Sequence, residues 1–346
     1  MNRPLPPQLS RLIRRDVQSM HAYAVQDATG MIKLDAMENP FRLPPGLQAE
    51  LGQRLGAVAL NRYPGESLEL LRRELARHAR LPEGCALMLG NGSDELISML
   101  AMACDVPGAS ILAPLPGFVM YAMSAQLQGL EFIGVDLTPE FELDETAMMS
   151  AIERHQPSII YLAYPNNPTA NLWDDAVIER IVEAAPGLVV FDEAYQPFSS
   201  RSYIDRLARH PHVLLMRTLS KFGLAGVRIG YLIGRSELVA EIDKARPPYN
   251  ISVLNCECAL FALEHAGVFA QQALRALPGI KAWPSDANMI LVRVPDAARA
   301  FEGLKGRGVL VKNVSKMHPL LAGCLRLTVG THDENTRLLE ALPAAL

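Results

Sequence analysis

Charge of one sign never accumulates in this sequence. Its basic residues run no longer than the pairs Arg14-Arg15 and Arg72-Arg73, and 33 Lys+Arg stand against 37 Asp+Glu, a net charge of −4. Such a balance offers no global field to a polyanion, so no nucleic-acid partner is expected. Long apolar runs are missing as well. None reaches the roughly 18 residues that span a bilayer, so no membrane partner is expected either. Residues 1–16 mix Pro, Arg and Leu without an apolar stretch, which reads as no export signal and makes the cytoplasm the default location. Cysteine is scarce: Cys85, Cys104, Cys256, Cys258 and Cys324 are odd in number and scattered, as reduced thiols are. No second Cys/His pair stands at zinc spacing from Cys256-Glu257-Cys258, and the histidines show no ligand spacing, so no metal is expected. His21, near Tyr23, reads as solvated. Internal repeats and low-complexity tracts are also absent.

What remains is the composition of a folded chain, 49% hydrophobic and 20% charged. At this length about three quarters of the unfolded surface can be buried, enough for a core without disulfides or metals. Length suggests two domains, and one large α/β domain with an appendage fits it too. Short apolar runs at 86–89, 110–113, 131–135, 158–163, 188–192, 213–218 and 228–233 predict strands. Helical patterns at 94–103, 118–127, 144–155 and 174–184 lie between them. This alternation predicts an α/β fold with a mostly parallel central sheet between helices, its functional groups at the strand ends. The rhythm stops at Arg246-Pro247-Pro248. Beyond it a helix at 253–265, strands at 288–294, 309–312 and 325–329, a helix at 297–307 and a last helix predict a smaller α+β unit. The boundaries read as an N-terminal segment 1–35 packing on the small domain, a large domain 36–245 and a small C-terminal domain 246–346.

Four segments carry candidate chemistry. Gly90-Asn91-Gly92-Ser93-Asp94-Glu95 follows a strand and opens a helix, whose free N–H groups suit a phosphate, although alone it fits a helix cap. It matches neither a dinucleotide fingerprint nor a P-loop. Tyr164-Pro165-Asn166-Asn167-Pro168-Thr169 presents amides from a rigid loop, and alone it fits an ordinary turn. Asp192 ends the apolar run Val189-Val190-Phe191, where a carboxylate is costly unless a cation meets it; a protonated ring nitrogen would serve, as would a structural ion pair. In Thr218-Leu219-Ser220-Lys221-Phe222-Gly223-Leu224-Ala225-Gly226-Val227-Arg228 a lysine follows a strand end, flanked by hydroxyls with an arginine behind. A desolvated lysine near positive charge becomes a nucleophile, and the hydroxyls and arginine suit a phosphate. A phosphate cup, a carboxylate for a ring nitrogen, an asparagine and a buried lysine together match a pyridoxal-phosphate site.

At this point the sequence resembles the fold-type I pyridoxal-phosphate aminotransferases (class II), and within them the histidinol-phosphate branch. The resemblance covers nearly the whole chain. Besides the lysine and aspartate motifs it includes Leu34-Asp35-Ala36-Met37-Glu38-Asn39-Pro40-Phe41, Asn61-Arg62-Tyr63-Pro64-Gly65, Arg246-Pro247-Pro248-Tyr249-Asn250 and Cys324-Leu325-Arg326-Leu327-Thr328-Val329-Gly330. It implies pyridoxal 5'-phosphate held by Lys221 as a Schiff base, with Lys221 then moving the proton. Asp192 would pair with the ring nitrogen, Asn167 and Tyr195 would bond the phenolic oxygen, and Phe118 would stack on the ring. Ser93, Asp94, Thr218, Ser220 and Arg228 would hold the phosphate, joined by Tyr63 from the partner subunit of a homodimer with shared sites. Arg326 would anchor the substrate's anion, with Tyr23, Asn39, Tyr63, Asn167 and Lys312 also facing substrate. Two features depart from the family pattern. Lys221 and Arg228 are seven apart, one residue fewer than is common. Lys312 stands where many relatives carry a second arginine, and it offers a point charge in place of a planar fork.

The activity implied is transamination between L-histidinol phosphate and 2-oxoglutarate in histidine synthesis. A threonine-phosphate decarboxylase and an aromatic amino acid aminotransferase share the cofactor residues and remain alternatives. A non-catalytic pyridoxal-phosphate sensor is disfavoured, because the motifs begin near Leu34 and leave no room ahead for a DNA-binding unit.

Overall fold

The apolar runs of the sequence become twelve strands among the described residues. They are β1 (Ile32–Lys33), β2 (Cys85–Gly90), β3 (Ser110–Leu115), β4 (Glu131–Asp136), β5 (Ile159–Ala163), β6 (Leu188–Asp192), β7 (Val213–Thr218), β8 (Gly230–Arg235), β9 (Met289–Arg293), β10 (Val309–Leu310), β11 (Lys312–Asn313) and β12 (Cys324–Thr328). The structure is a computed structural model that describes residues 6–22, 25–266, 283 and 285–346.

The large sheet has 7 strands in the order β2-β8-β7-β6-β5-β3-β4. Strands β3 to β7 pair in parallel, and β8 runs antiparallel to both its neighbours. The side-chain period of two divides the core. Ile160, Leu162, Val189 and Phe191 pack on one face of the sheet. Ile159, Tyr161, Val190, Leu214 and Met216 pack on the other. Helices cover both faces, so β5 and β7 are buried from end to end, whereas the edge strand β4 exposes alternate residues. Local chemistry sets the helix starts. Asp144 accepts from the N–H of Ala147 and Asp174 from those of Ala176 and Val177, so the helices run Glu145–His155 and Asp175–Ala184.

The C-terminal region forms a separate antiparallel sheet, β11-β12-β9. The single strand expected at 309–312 is two: β10 pairs in parallel with β1, and β11 pairs with β12. Fully buried Val311 stands between them, where the chain passes from one pairing to the other. The N-terminal stretch divides its contacts. Leu34 packs with Val292, Leu310 and Leu327 of the smaller unit. Arg14 instead donates to Gln126 O (2.8 Å) and Leu127 O (2.7 Å), in the last turn of the helix Met120–Gln128 on the large sheet. No helix among the described residues is long and apolar enough to cross a membrane.

Candidate active site

Parallel strands bring their C-terminal ends to one edge of the sheet, and the singled-out residues gather there. Asp192 closes β6. Burial pushes its carboxyl up to about 6, and hydrogen bonds from the Tyr121 hydroxyl (2.7 Å) and the Ala194 N–H (3.0 Å) oppose that rise. The next residue, Glu193, turns the other way into a buried pair with Arg217 (2.9 Å), also accepting the Tyr203 N–H at 2.6 Å. It anchors the strand end as a buried ion pair, whereas Asp192 is held, among the described residues, by hydrogen bonds alone.

Lys221 follows β7 in a tight turn, Ser220–Leu224, that Gly223 closes with φ +131°. Burial first, and then the Arg326 guanidinium, lowers the Lys221 ammonium to about 8. Its Nζ donates to Ala36 O at 2.8 Å and lies 5.8 Å from the centre of the Tyr195 ring. Tyr195 is itself buried, which holds its phenol well above the ordinary range. Arg326, in the middle of β12, is 7% exposed and donates to Asn167 Oδ1 (2.8 Å) and Asp35 O (2.6 Å). The residue 35–37 strap is thus held against both cations of the crevice, and is tied to the small sheet by Met37 N–H to Thr328 Oγ1 (3.0 Å).

An anion cradle adjoins these groups. The helix Ser93–Ala103 starts at Gly92, which has φ +82°, and no side chain caps its first turn. The alternative reading, a cap by Ser93 or Asp94, is not made, and among the described residues no side chain occupies the first N–H groups of this helix. The Arg228 guanidinium lies over Gly92, 2.5 Å from where a Cβ would sit, and 3.4 Å from Asp94. Gly230 presses on the Gly92–Ser93 backbone, where a Cβ would come within 2.7 Å. Arg228 reaches this place by taking a left-handed conformation, φ +55°, which shifts the strand expected at 228–233 to Gly230–Arg235. The Thr218 and Ser220 hydroxyls stand 2.9 Å apart beside it.

The other candidates occupy varied places. Phe118 sets its ring edge-on to Tyr121, with centroids 5.6 Å apart. Lys312 lies directly opposite Arg326 in the β11–β12 ladder, so both side chains leave the same face. Asn39 accepts the Phe41 N–H at 2.9 Å. Tyr63 is not among the buried groups around Lys221; it is 74% exposed and stacks on Tyr249 at 4.2 Å. Tyr23 lies outside the described residues. Sequence reasoning missed Tyr121 and the strap carbonyls of Asp35 and Ala36. For Tyr121 the available signal was a tyrosine three residues after Phe118, on one face of the helix expected at 118–127.

A doubly covered α/β sheet with a buried lysine, a buried carboxylate and an anion cradle at its carboxyl edge has the frame of a group-transfer enzyme. The chain belongs to the aminotransferase class I and II family, which it matches over residues 29–342. It is 72% identical, over 358 aligned positions, to the histidinol-phosphate aminotransferase of Polaromonas naphthalenivorans, covering 99% of this chain and 98% of that one. It is 69% identical to the histidinol-phosphate aminotransferase of Methylibium petroleiphilum, covering 99% and 97%. Among solved structures, the histidinol-phosphate aminotransferase of Sinorhizobium meliloti in complex with pyridoxal-5'-phosphate has the same fold, with a TM-score of 0.84 at 23% identity over 96% of this chain and 97% of that one.

Proposed function

We propose that this protein is a pyridoxal-phosphate-dependent aminotransferase. It moves the amino group of L-histidinol phosphate to 2-oxoglutarate, giving imidazole acetol phosphate and L-glutamate in cytoplasmic histidine synthesis. One observation carries the reaction class: a desolvated amine (Lys221), a buried carboxylate (Asp192) and an uncapped helix start under Arg228 converge on one crevice. The substrate follows from the names of relatives as much as 72% identical.

The residues fit the cofactor. Asp192 carries one hydrogen bond on each oxygen and keeps acceptor capacity for a cation such as a protonated ring nitrogen. The N–H groups of Ser93 and Asp94, the Thr218 and Ser220 hydroxyls and Arg228 would hold the phosphate. Asn167 and Tyr195 would bond the phenolic oxygen, and Phe118 would cover the ring face. Bound there, pyridoxal phosphate supplies an electron sink that acidifies the hydrogen on the amine-bearing carbon.

This chain's own groups do the rest. Lys221 Nζ, lowered to about 8, is in part neutral near pH 7.5 and can take that hydrogen and return it one position along. Arg326 presents a planar fork to an anion, which suits the phosphate ester of histidinol phosphate and a carboxylate of glutamate alike. Lys312, opposite it, adds positive charge. Tyr23 and Asn39 belong to the substrate's cover. Tyr63, stacked on Tyr249 at the surface, reaches the partner's phosphate cradle in a homodimer with shared sites.

The test is turnover with purified enzyme and pyridoxal phosphate. L-histidinol phosphate with 2-oxoglutarate yields glutamate, and L-threonine phosphate yields no carbon dioxide. Carbon dioxide release, or turnover restricted to aromatic amino acids, would leave the cofactor reading standing and remove the substrate.

A further inference from the structure

We propose that Tyr121 is a positioning residue for this reaction: its hydroxyl keeps Asp192 aligned and ionised toward the ring nitrogen. The inference rests on the reading of Asp192 as the partner of the cofactor ring, and it concerns a residue that none of the sequence motifs contains.

Asp192 sits at the end of an apolar strand, 5% exposed, where a carboxylate tends to take up a proton. A neutral acid there would lose its attraction for a cationic ring. The negative charges of Asp94 and Glu193 push in the same direction as burial. Two hydrogen bonds to the ionised form push back, Ala194 N–H to Oδ1 at 3.0 Å and Tyr121 O–H to Oδ2 at 2.7 Å. The first belongs to the backbone and comes with the turn. The second is supplied by one side chain. With a donor on each oxygen the carboxylate plane is fixed; without the Tyr121 donor it is free to rotate about one bond.

Tyr121 is built for the task. It is 2% exposed and lies flat on Tyr161, with centroids 4.3 Å apart and planes 5° apart. Burial and the neighbouring Asp192 hold its phenol far above the ordinary range, so it remains a donor at every working pH. A phenylalanine would fill the same space, so packing alone does not account for the hydroxyl. Tyr161 provides the internal comparison: it is equally buried and has the same stack, yet its hydroxyl has no hydrogen-bond partner among the described residues. Tyr195, the other phenol near Asp192, is common to all the variants compared. Phe118, edge-on to Tyr121, links the ring-covering residue to the same column.

The experiment titrates the Asp192 carboxyl by infrared difference spectroscopy in the full cofactor-free chain, the band being identified by its loss in Asp192→Asn. Relative to wild type, Tyr121→Phe moves the midpoint up by about one pH unit, a roughly tenfold gain in proton affinity. Tyr161→Phe leaves the midpoint in place. Equilibrium binding of pyridoxal phosphate weakens by about fivefold at pH 6 in Tyr121→Phe and recovers as pH rises past the new midpoint, which a packing defect would not do. An unmoved midpoint overturns the proposal, and so does a raised midpoint with unchanged cofactor binding. Wild type that takes up no pyridoxal phosphate at all overturns the underlying reading instead, and the carboxyl titration, which needs no cofactor, tells the two failures apart.

Discussion

The central residues of the crevice are held in states that an isolated side chain would not adopt, and the energy of holding them is measurable. Asp192 is the clearest case. Its folded value of about 6 lies above the ordinary 3.8. Between those two values the folded chain keeps a proton that the unfolded chain gives up. Stability of the cofactor-free protein therefore falls as pH rises through that window, and the loss is complete above about 6. Two pH units correspond to about 3 kcal/mol. Asp192→Asn removes this cost, so the cofactor-free variant should be about 1–3 kcal/mol more stable at pH 7, with the gain vanishing below about pH 4. The same variant should bind pyridoxal phosphate more weakly. Denaturation curves across pH check the first half, and equal stability at pH 7 would contradict it. Lys221→Ala should lower turnover by at least about a thousandfold while the cofactor still binds non-covalently, because the phosphate cradle and Asp192 remain. Wild-type turnover in that variant would remove Lys221 from the mechanism.

At the scale of elements, the site depends on how closely two segments approach. Gly230 opens β8 against the Gly92–Ser93 backbone, leaving no room for a Cβ. Gly230→Ala would meet main-chain atoms that cannot step aside, so it should displace the helix start. The expected result is a loss of about 1–3 kcal/mol in stability and at least a tenfold weaker hold on pyridoxal phosphate. Unchanged cofactor retention would contradict the cradle. The elements also show what could be read in advance. Strands β3 to β7 were legible because each is a short apolar run between helical patterns, and Asp144 and Asp174 mark helix starts by their side chains alone. The division of 309–312 into β10 and β11 was not legible, because a change of partner at Val311 leaves no mark on a run of apolar residues. Lys221 and Asp192 stood out because a charge at the end of an apolar strand is expensive. Tyr121 did not, because a tyrosine on an apolar helix face reads as packing until the carboxylate beneath it is seen. The strap carbonyls of Asp35 and Ala36 were likewise hidden, since every residue has one.

For the molecule as a whole, the crevice lies where the large sheet, the small sheet and the strap between them meet. Lys221, Asp192 and the proposed phosphate cradle come from the large sheet and its loops, and Arg326 from the small one. The two buried cations therefore come from different sheets, and the strap accepts a hydrogen bond from each. Such an arrangement suits an enzyme that must accept two unlike anionic substrates in turn at a single lysine. The most direct measurement is the first half of that cycle. Pyridoxal phosphate is loaded on the purified protein, and L-histidinol phosphate is added with no keto acid. The visible band of the bound cofactor should disappear, giving way to the near-ultraviolet band of pyridoxamine phosphate, and 2-oxoglutarate should bring the visible band back. A visible band that persists with histidinol phosphate, yet is lost on adding an aromatic amino acid, would contradict the proposed substrate.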